Sequence, residues 1–309
     1  MTIVRLAIFA THPIQYQAPL WRLLSAHEDL DVQVVYCCDH GVVEYTDDEF
    51  GKSFAWDVPL LGGYRSQIIR SGSISTPGIL KIPECRKLLG ALRPNCVLVQ
   101  GYYAAHTRQL RFWSKRLGVK LVVRGEFTDC RPRPSYLKNM VAEFYRSWFY
   151  RGVDAFCYIG RDARAHLVKR GVTENRLFFS PYSVDDQFFE KQKQSMSRLD
   201  ARRELNIPDN AIVFLFSGKM IERKQPLLIS EAIKMLGQVR NLYVIALGEG
   251  PQRQLLINSL SPNLENRLIA PGFVNQSELA KYFLASDIFI LPSQFDSWGL
   301  VVNEAMQFG

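Results

Sequence analysis

Asp296 and Glu304 stand eight positions apart in the stretch LPSQFDSWGLVVNE, residues 291–304. An apolar run from Ile288 to Leu291 reads as a strand that Pro292 and Ser293 stop. Asp296, Ser297, Trp298 and Gly299 form a loop, and Leu300 to Met306 read as a helix. The unpaired backbone N–H groups and the positive end of such a helix suit an anion, and the flanking acids suit hydroxyl groups. The same residues also fit a plain buried strand–helix unit with Asp296 as the N-terminal acid of its helix.

Three further strand ends carry groups that suit a phosphorylated ligand. SGKMIERK places Lys219 and Lys224 after the strand 211–219, and Gly218 lets backbone come close to a ligand. Two ammonium groups there can hold a diphosphate, or they belong to a solvated basic loop. GEGP puts Gly248 and Gly250 around Glu249. The GFV turn, with Phe273 and Val274, offers backbone groups to a flat base. Together the four loops form a pattern for a nucleotide diphosphate with a hydroxylated group attached.

The first half holds looser candidates. His12, Gln15 and Tyr16 follow the first strand, with Pro13 and Pro19 fixing the path of the loop. Loops in that position line the crevice of an α/β sheet, although a turn that only caps the next helix reads the same way. His106 is a site residue or a helix-surface histidine. Arg124, Glu126 and Asp129 lie at the end of the strand 120–129, as a site or as a local salt bridge. The basic, aromatic helix over 131–152 suits a membrane surface or an apolar acceptor, or packs as an ordinary helix.

Strands and helices that must position these groups alternate along the chain. Strands are expected at 3–10, 31–38, 96–101, 120–129 and 154–160, with a strand and a turn-rich exit over 176–189. Helices fall between them, including 79–92, and residues 39–78 read as irregular structure around short strands. Residues 190–205 read as a linker plus a first helix. Strands at 211–219, 241–251, 267–274 and 287–293 then alternate with helices. This order predicts an α/β protein with two Rossmann-like, doubly wound parallel sheets, in domains 1–189 and 190–309. The second sheet, of about four strands, reads as cut short or unusually compact.

Composition narrows the classes of function. The 309 residues are 47% hydrophobic and 22% charged, a globular balance. No apolar run approaches the roughly 18–20 residues of a spanning helix. MTIVRLAIFA reads as a strand and not a signal peptide, so a cytoplasmic location is expected. The six cysteines form no C-x-x-C pair, and those in strand-like runs read as small apolar residues. A formal charge of +8 fits phosphate-bearing substrates or an anionic membrane face. It also fits nucleic acid, but no RNA-binding motif is present. The lack of G-x-G-x-x-G after the first strand argues against a dinucleotide oxidoreductase.

The second half resembles the retaining family 4 glycosyltransferases of GT-B fold. SGKMIERK is similar to their G-R-L-x-x-x-K segment, with Lys219 for the Arg and Lys224 for the Lys. ALGEGPQR resembles G-x-G-P-x-R, and the stretch from APGFV through ASDIFILPS resembles their G-x-V … A-D-x-x-x-x-P-S run. DSWGLVVNEA resembles the E-x7-E signature, with Asp296 for the first Glu. SPYSVDDQFF resembles the crossover between domains, with Ser183 for a Gly. The likeness covers most of 176–309 and is looser over 1–175.

The resemblance implies two domains facing across a cleft, a nucleotide-diphosphate sugar as donor and no metal or cofactor. Lys219 and Lys224 would neutralise the diphosphate, Asp296 would face the donor sugar, and Glu304 would bind the ribose. Gly299 and Leu300 amides would sit on phosphate, with Ser297, Gly218, Glu249, Gly250, Phe273 and Val274 completing the donor place. The family often has a His near the sugar after an N-domain strand. Here Arg124-Gly125-Glu126 stands at the matching strand end, so Glu126 and His106 join Asp296 as catalytic candidates. His12, Gln15, Tyr16 and Arg124 would face a glycan, lipid-linked or small-molecule acceptor. Cell-surface polysaccharide or glycoconjugate synthesis, at the inner membrane face, is the implied setting. A GT-B epimerase or hydrolase, or a non-catalytic nucleotide-sugar-binding fragment, is the alternative.

Overall fold

A computed structural model describes residues 3–47, 51–70, 81–129, 136–237 and 241–309. The chain opens with β1 (Val4–Ala10), α1 (Ala18–Ser25) and β2 (Leu30–Cys38). A short antiparallel pair, β3 (Tyr45–Asp47) and β4 (Lys52–Phe54), comes before β5 (Ser66–Arg70). Then come α2 (Cys85–Leu92), β6 (Cys96–Gln100), α3 (Ala105–Leu117), β7 (Lys120–Gly125) and α4 (Tyr136–Arg151). β8 (Ala155–Tyr158), α5 (Arg161–Val168) and β9 (Leu177–Phe179) close this half. The second half begins with α6 (Asp186–Ser195), α7 (Arg198–Glu204), β10 (Ile212–Ser217), α8 (Leu227–Leu236) and β11 (Leu242–Leu247). It continues with α9 (Arg253–Leu264), β12 (Leu268–Gly272), α10 (Leu279–Ala285), β13 (Ile288–Phe289) and α11 (Leu300–Met306).

Two parallel sheets result, in two compact units. Among the described residues the first has seven strands in the order β5-β2-β1-β6-β7-β8-β9, and the second four in the order β12-β11-β10-β13. Continuous apolar runs are what strands covered on both faces require. Accordingly Ile8, Val34, Val97 and Val123 are fully buried in the first sheet, and Val213 and Ile245 in the second. The strand order places the centre of each sheet at β1 and β6, and at β10 and β11, so the loops after those strands sit mid-sheet, where ligand crevices form.

The units do not divide the chain at one point. The first consists of residues up to Val43 with Pro59–Tyr182, and the second of Glu44–Val58 with Ser183–Gly309. A single break at 189–190 therefore misses an early segment built into the second unit. Aromatic packing explains the difference: Phe54, which is buried, lies 4.4 Å from the Phe273 ring and 5.1 Å from Trp56.

Several element boundaries also differ from the sequence pattern; the strand expected at 120–129 ends at Gly125, and the one expected at 287–293 is only Ile288–Phe289. The helix expected at 79–92 begins at Cys85, after Pro83 and a left-handed Glu84; residues 79–80 lie outside the described residues. The linker expected from 190 is helical, because Asp185 caps α6 by accepting a bond from the Phe188 N–H. Phe189 on that helix packs edge-on against Phe308 at 5.8 Å, so the polar residues 190–195 are only its outer face.

Among the described residues no helix is long and apolar enough to cross a membrane. The five described cysteines are free. Burial pushes the Cys37 thiol up to about 12, which keeps it protonated, as a small apolar filler.

Candidate functional site

In the second unit the loops after β10, β11 and β12 are zipped together through their backbones. The Gly218 N–H donates to Leu247 O (3.0 Å), Met220 N–H to Glu249 O (2.8 Å) and Gly248 N–H to Gly272 O (2.8 Å). Such close approach explains the glycines. A Cβ on Gly250 would lie 2.6 Å from the Met220 carbonyl oxygen, and one on Gly248 would collide with the Gly218 carbonyl oxygen. The glycines at 248 and 250 thus serve loop-to-loop packing. The Glu249 carboxylate lies 3.6 Å from Arg253, which also donates to Ala270 O at 2.6 Å. Arg253 ties the loop after β11 to β12.

Both lysines hold carboxylates. Lys224 Nζ donates to the two Asp296 oxygens at 2.6 and 2.7 Å. Arg223 stands 3.4 Å from the same carboxylate and donates to Phe295 O at 3.0 Å. Lys219 Nζ donates to both oxygens of Asp47 on β3, at 3.0 and 2.9 Å. The structure thus brings Asp296 to Lys224 and gives Lys219 a partner from the first half of the sequence.

The stretch 291–304 folds as a loop and a helix: β13 ends at Phe289, so the strand expected as far as Leu291 is shorter than its apolar run. Gly299, left-handed at φ +79, caps α11, where Val302 N–H donates to Gly299 O at 2.8 Å, and Leu300 is its first residue. Trp298 Nε1 donates to Asn303 Oδ1 at 2.9 Å, which braces the loop that carries Asp296 and Ser297. Glu304 is buried on α11 and accepts from Gln276 Nε2 at 3.2 Å. Phe273 is half-buried under Phe54 and Trp56, and Val274 packs on the core formed by residues such as Leu279 and Phe283.

The first-unit candidates take separate places. His12 Nδ1 lies 3.0 Å from Thr11 Oγ1, and its ring is 6.0 Å from that of His40. Gln15 Oε1 is buried without a hydrogen-bond partner among the described residues, and Tyr16 is half-buried. Arg124 is buried against the chain that leaves β9. It donates to Ser180 Oγ (3.0 Å) and Pro181 O (2.9 Å) and stacks on Tyr182. Glu126 is exposed just past β7. Asp129 pairs with Arg170 at 2.7 and 3.0 Å, a partner 41 positions away on the chain and not the neighbouring Arg124 of its own strand end.

His106 is not a helix-surface histidine. It is fully buried in the first turn of α3, neither ring nitrogen has a hydrogen-bond partner among the described residues, and burial lowers its pKa to about 4. The ring is therefore neutral near pH 7.

Several residues of these places escaped the sequence pattern: Asp47, Arg223, Gln276 and, beside His12, the buried pair Asp39 and His40. Asp39 and His40 carried a signal, since they directly follow the strand 31–38, as did Arg223 beside Lys224 in SGKMIERK. Among the described residues no group of three or more His, Cys, Asp or Glu side chains is placed to hold a metal ion.

The zipped loops, the lysines and Glu304 all fall in one sequence match. Residues 197–309 match the family glycosyl transferases group 1. The group 1 match contains every donor-side candidate, whereas His12, His106, Arg124 and Glu126 lie outside it. Two relatives extend the similarity. A D-inositol 3-phosphate glycosyltransferase from Xylanimonas cellulosilytica is 26% identical over 162 residues, 50% of this chain and 39% of that protein. An Escherichia coli UDP-Gal:alpha-D-GlcNAc-diphosphoundecaprenol alpha-1,3-galactosyltransferase is 26% identical over 163 residues, 50% of this chain and 40% of that protein. The chain thus spans about two fifths of the length of these curated relatives. Among solved structures, Anabaena Alr3699/HepE in complex with UDP superposes with a TM-score of 0.69, at 14% identity, over 100% of this chain and 79% of that one. The fold is GT-B, with two Rossmann-like units.

Proposed function

We propose that the protein is a retaining glycosyltransferase of family 4 type, which moves a sugar from a nucleotide-diphosphate sugar to an acceptor hydroxyl. The observation that carries this reading is the pair of lysines at the zipped loops, each already gripping an anion. An ammonium has three donors, so Lys224 can keep Asp296 and still reach a phosphate oxygen. In the proposed reaction the bond between the sugar C1 and the diphosphate oxygen breaks, and its electron pair stays on the phosphate. The acceptor oxygen forms the new bond on the same face, and its proton passes to the leaving phosphate. Lys219 and Lys224 stabilise the charge that develops there, Asp296 positions the sugar and Glu304 the ribose. His12, Gln15 and Tyr16 belong to the acceptor side. Glu126 is the catalytic candidate from the first unit, whereas His106 lies too deep to meet substrate without rearrangement.

The test is a panel of UDP-, GDP- and ADP-sugars incubated with and without simple glycoside and prenyl-linked acceptors. Acceptor-dependent release of nucleoside diphosphate is expected with at least one donor. Donor conversion that ignores the acceptor, or no binding of any donor, overturns the reading.

The setting we propose is cytoplasmic assembly of cell-surface polysaccharide or glycoconjugate, at an anionic membrane face. The surface that supports it is α4. Tyr136, Leu137, Met140, Val141, Phe144 and Trp148 form one exposed stripe, with Phe144 at 78% and Leu137 at 71% exposure. Exposed basic residues lie on the same helix and its neighbour: Lys138 and Arg151 on α4, and Arg108 and Arg116 on α3, which Arg111 joins to α4 by stacking 3.8 Å over Trp148. Apolar side chains beside cations fit the interface of an anionic bilayer. Leu137→Ser with Phe144→Ser is expected to weaken binding to phosphatidylglycerol vesicles at least tenfold, since each large side chain buried contributes about 1.5–3 kcal/mol. Co-sedimentation equal to that of the unaltered protein would refute this surface.

A further inference from the structure

Asp47 belongs to a segment that the second unit holds at both ends. At one end Phe54 and Trp56 pack around Phe273, with ring centroids 4.4 and 6.1 Å away. Nearby, Asn275 Nδ2 donates to Ala55 O at 2.7 Å, and its Oδ1 accepts from the Asp57 N–H at 3.4 Å. Ser277 donates to the Asp57 carboxylate through its N–H (3.2 and 3.3 Å) and its hydroxyl. At the other end Asp47 grips Lys219, in a pair whose side chains are only 24% and 18% exposed.

Such a pair has a chemical consequence at a diphosphate-binding loop. Asp47 presents two oxygens to the ammonium, as a phosphate would. It also adds a negative charge where an incoming diphosphate brings two or three more. The aromatic and Asp57 contacts fix the segment independently of Lys219, so the carboxylate is held in place and is not a stray surface partner.

We propose that Asp47 is the resident anion of the diphosphate place. It holds Lys219 while no nucleotide is bound, and a nucleoside diphosphate binds by taking that lysine over. This rests on the donor-site reading above. Asp47 is then a specificity residue. A ligand that engages Lys224 as well as Lys219 repays the displacement of Asp47, whereas a lone small anion at Lys219 does not. Differential interaction with the two states is what shifts such an equilibrium.

The experiment is calorimetric titration of the full chain and of Asp47→Asn and Asp47→Ser with UDP, GDP and ADP, and with the matching nucleosides. Both variants are expected to bind the preferred diphosphate about five- to tenfold more tightly, with nucleoside affinity unchanged. In a Lys219→Ala background the gain should vanish, because the cation under competition is gone. Diphosphate affinity that is unchanged or weaker in the variants overturns the proposal and leaves the donor site standing. An equal gain for nucleosides overturns it too, since the segment would then act through structure and not charge. If no diphosphate binds the unaltered chain or the variants, both the donor-site reading and this proposal fall.

Discussion

Lys224→Ala is expected to lower kcat/KM for sugar transfer by about a hundred- to a thousandfold. Lys224 is mostly buried and lies 2.6 and 2.7 Å from the Asp296 oxygens. On the proposed reading its removal costs the leaving diphosphate a cation, a loss of roughly 3–4 kcal/mol when one preorganised donor is deleted from a catalytic place. It also leaves the Asp296 carboxylate half-compensated, with Arg223 at 3.4 Å, so a negative charge then faces the phosphates. Both effects act in the same direction. Steady-state kinetics with the best donor and titration with its diphosphate provide the check, with thermal melting as the control for folding. Diphosphate affinity that survives the substitution would remove Lys224 from the donor site.

Gly248→Ala is the second large effect, and it acts through the backbone. Gly248 has φ +126, a conformation that side-chain-bearing residues rarely adopt. Its missing Cβ position is occupied by the Gly218 carbonyl oxygen. That oxygen cannot swing away as a side chain can, because the two loops are tied by backbone bonds such as Gly218 N–H to Leu247 O. The alanine variant is therefore expected to lose about 3 kcal/mol or more of stability and its diphosphate binding together. Gly171→Ala separates clash from strain: Gly171 is left-handed at φ +77 with open space around it, so strain alone should cost about 1 kcal/mol. Denaturant melts of the two variants make the comparison, and equal melts would show that the loops part easily.

Much of the fold was legible in the sequence because each strand is a short, locally complete pattern. Runs such as LAIFA in β1 and VFLF in β10 are apolar on both faces, which a covered parallel sheet satisfies. The lysines, the glycine turns and the pair Asp296 and Glu304 were legible because they sit at the C-terminal ends of those runs. What sequence spacing does not carry is pairing at a distance. Lys224 and Asp296 are 72 positions apart, and Asp47 and Lys219 are 172 apart, so ion pairs that only tertiary packing makes stayed hidden. Side-chain direction was hidden for the same reason. His106 begins a helix with many exposed polar residues, yet its own ring points inward and is fully buried. The polar stretch from 190 resembled a linker because a helix with one solvated face looks polar throughout until the buried position, Phe189, is known.

The segment 44–58 has a consequence for anyone recombining proteins of this architecture. The natural seam for a chimera is the crossover near Tyr182, where one half of the chain gives way to the other. A graft cut there would carry the second sheet to a new host without the aromatic cover on Phe273 or the partner of Lys219. The unit that moves as a module is two pieces of chain, 44–58 with 183–309, and a working transplant has to take both.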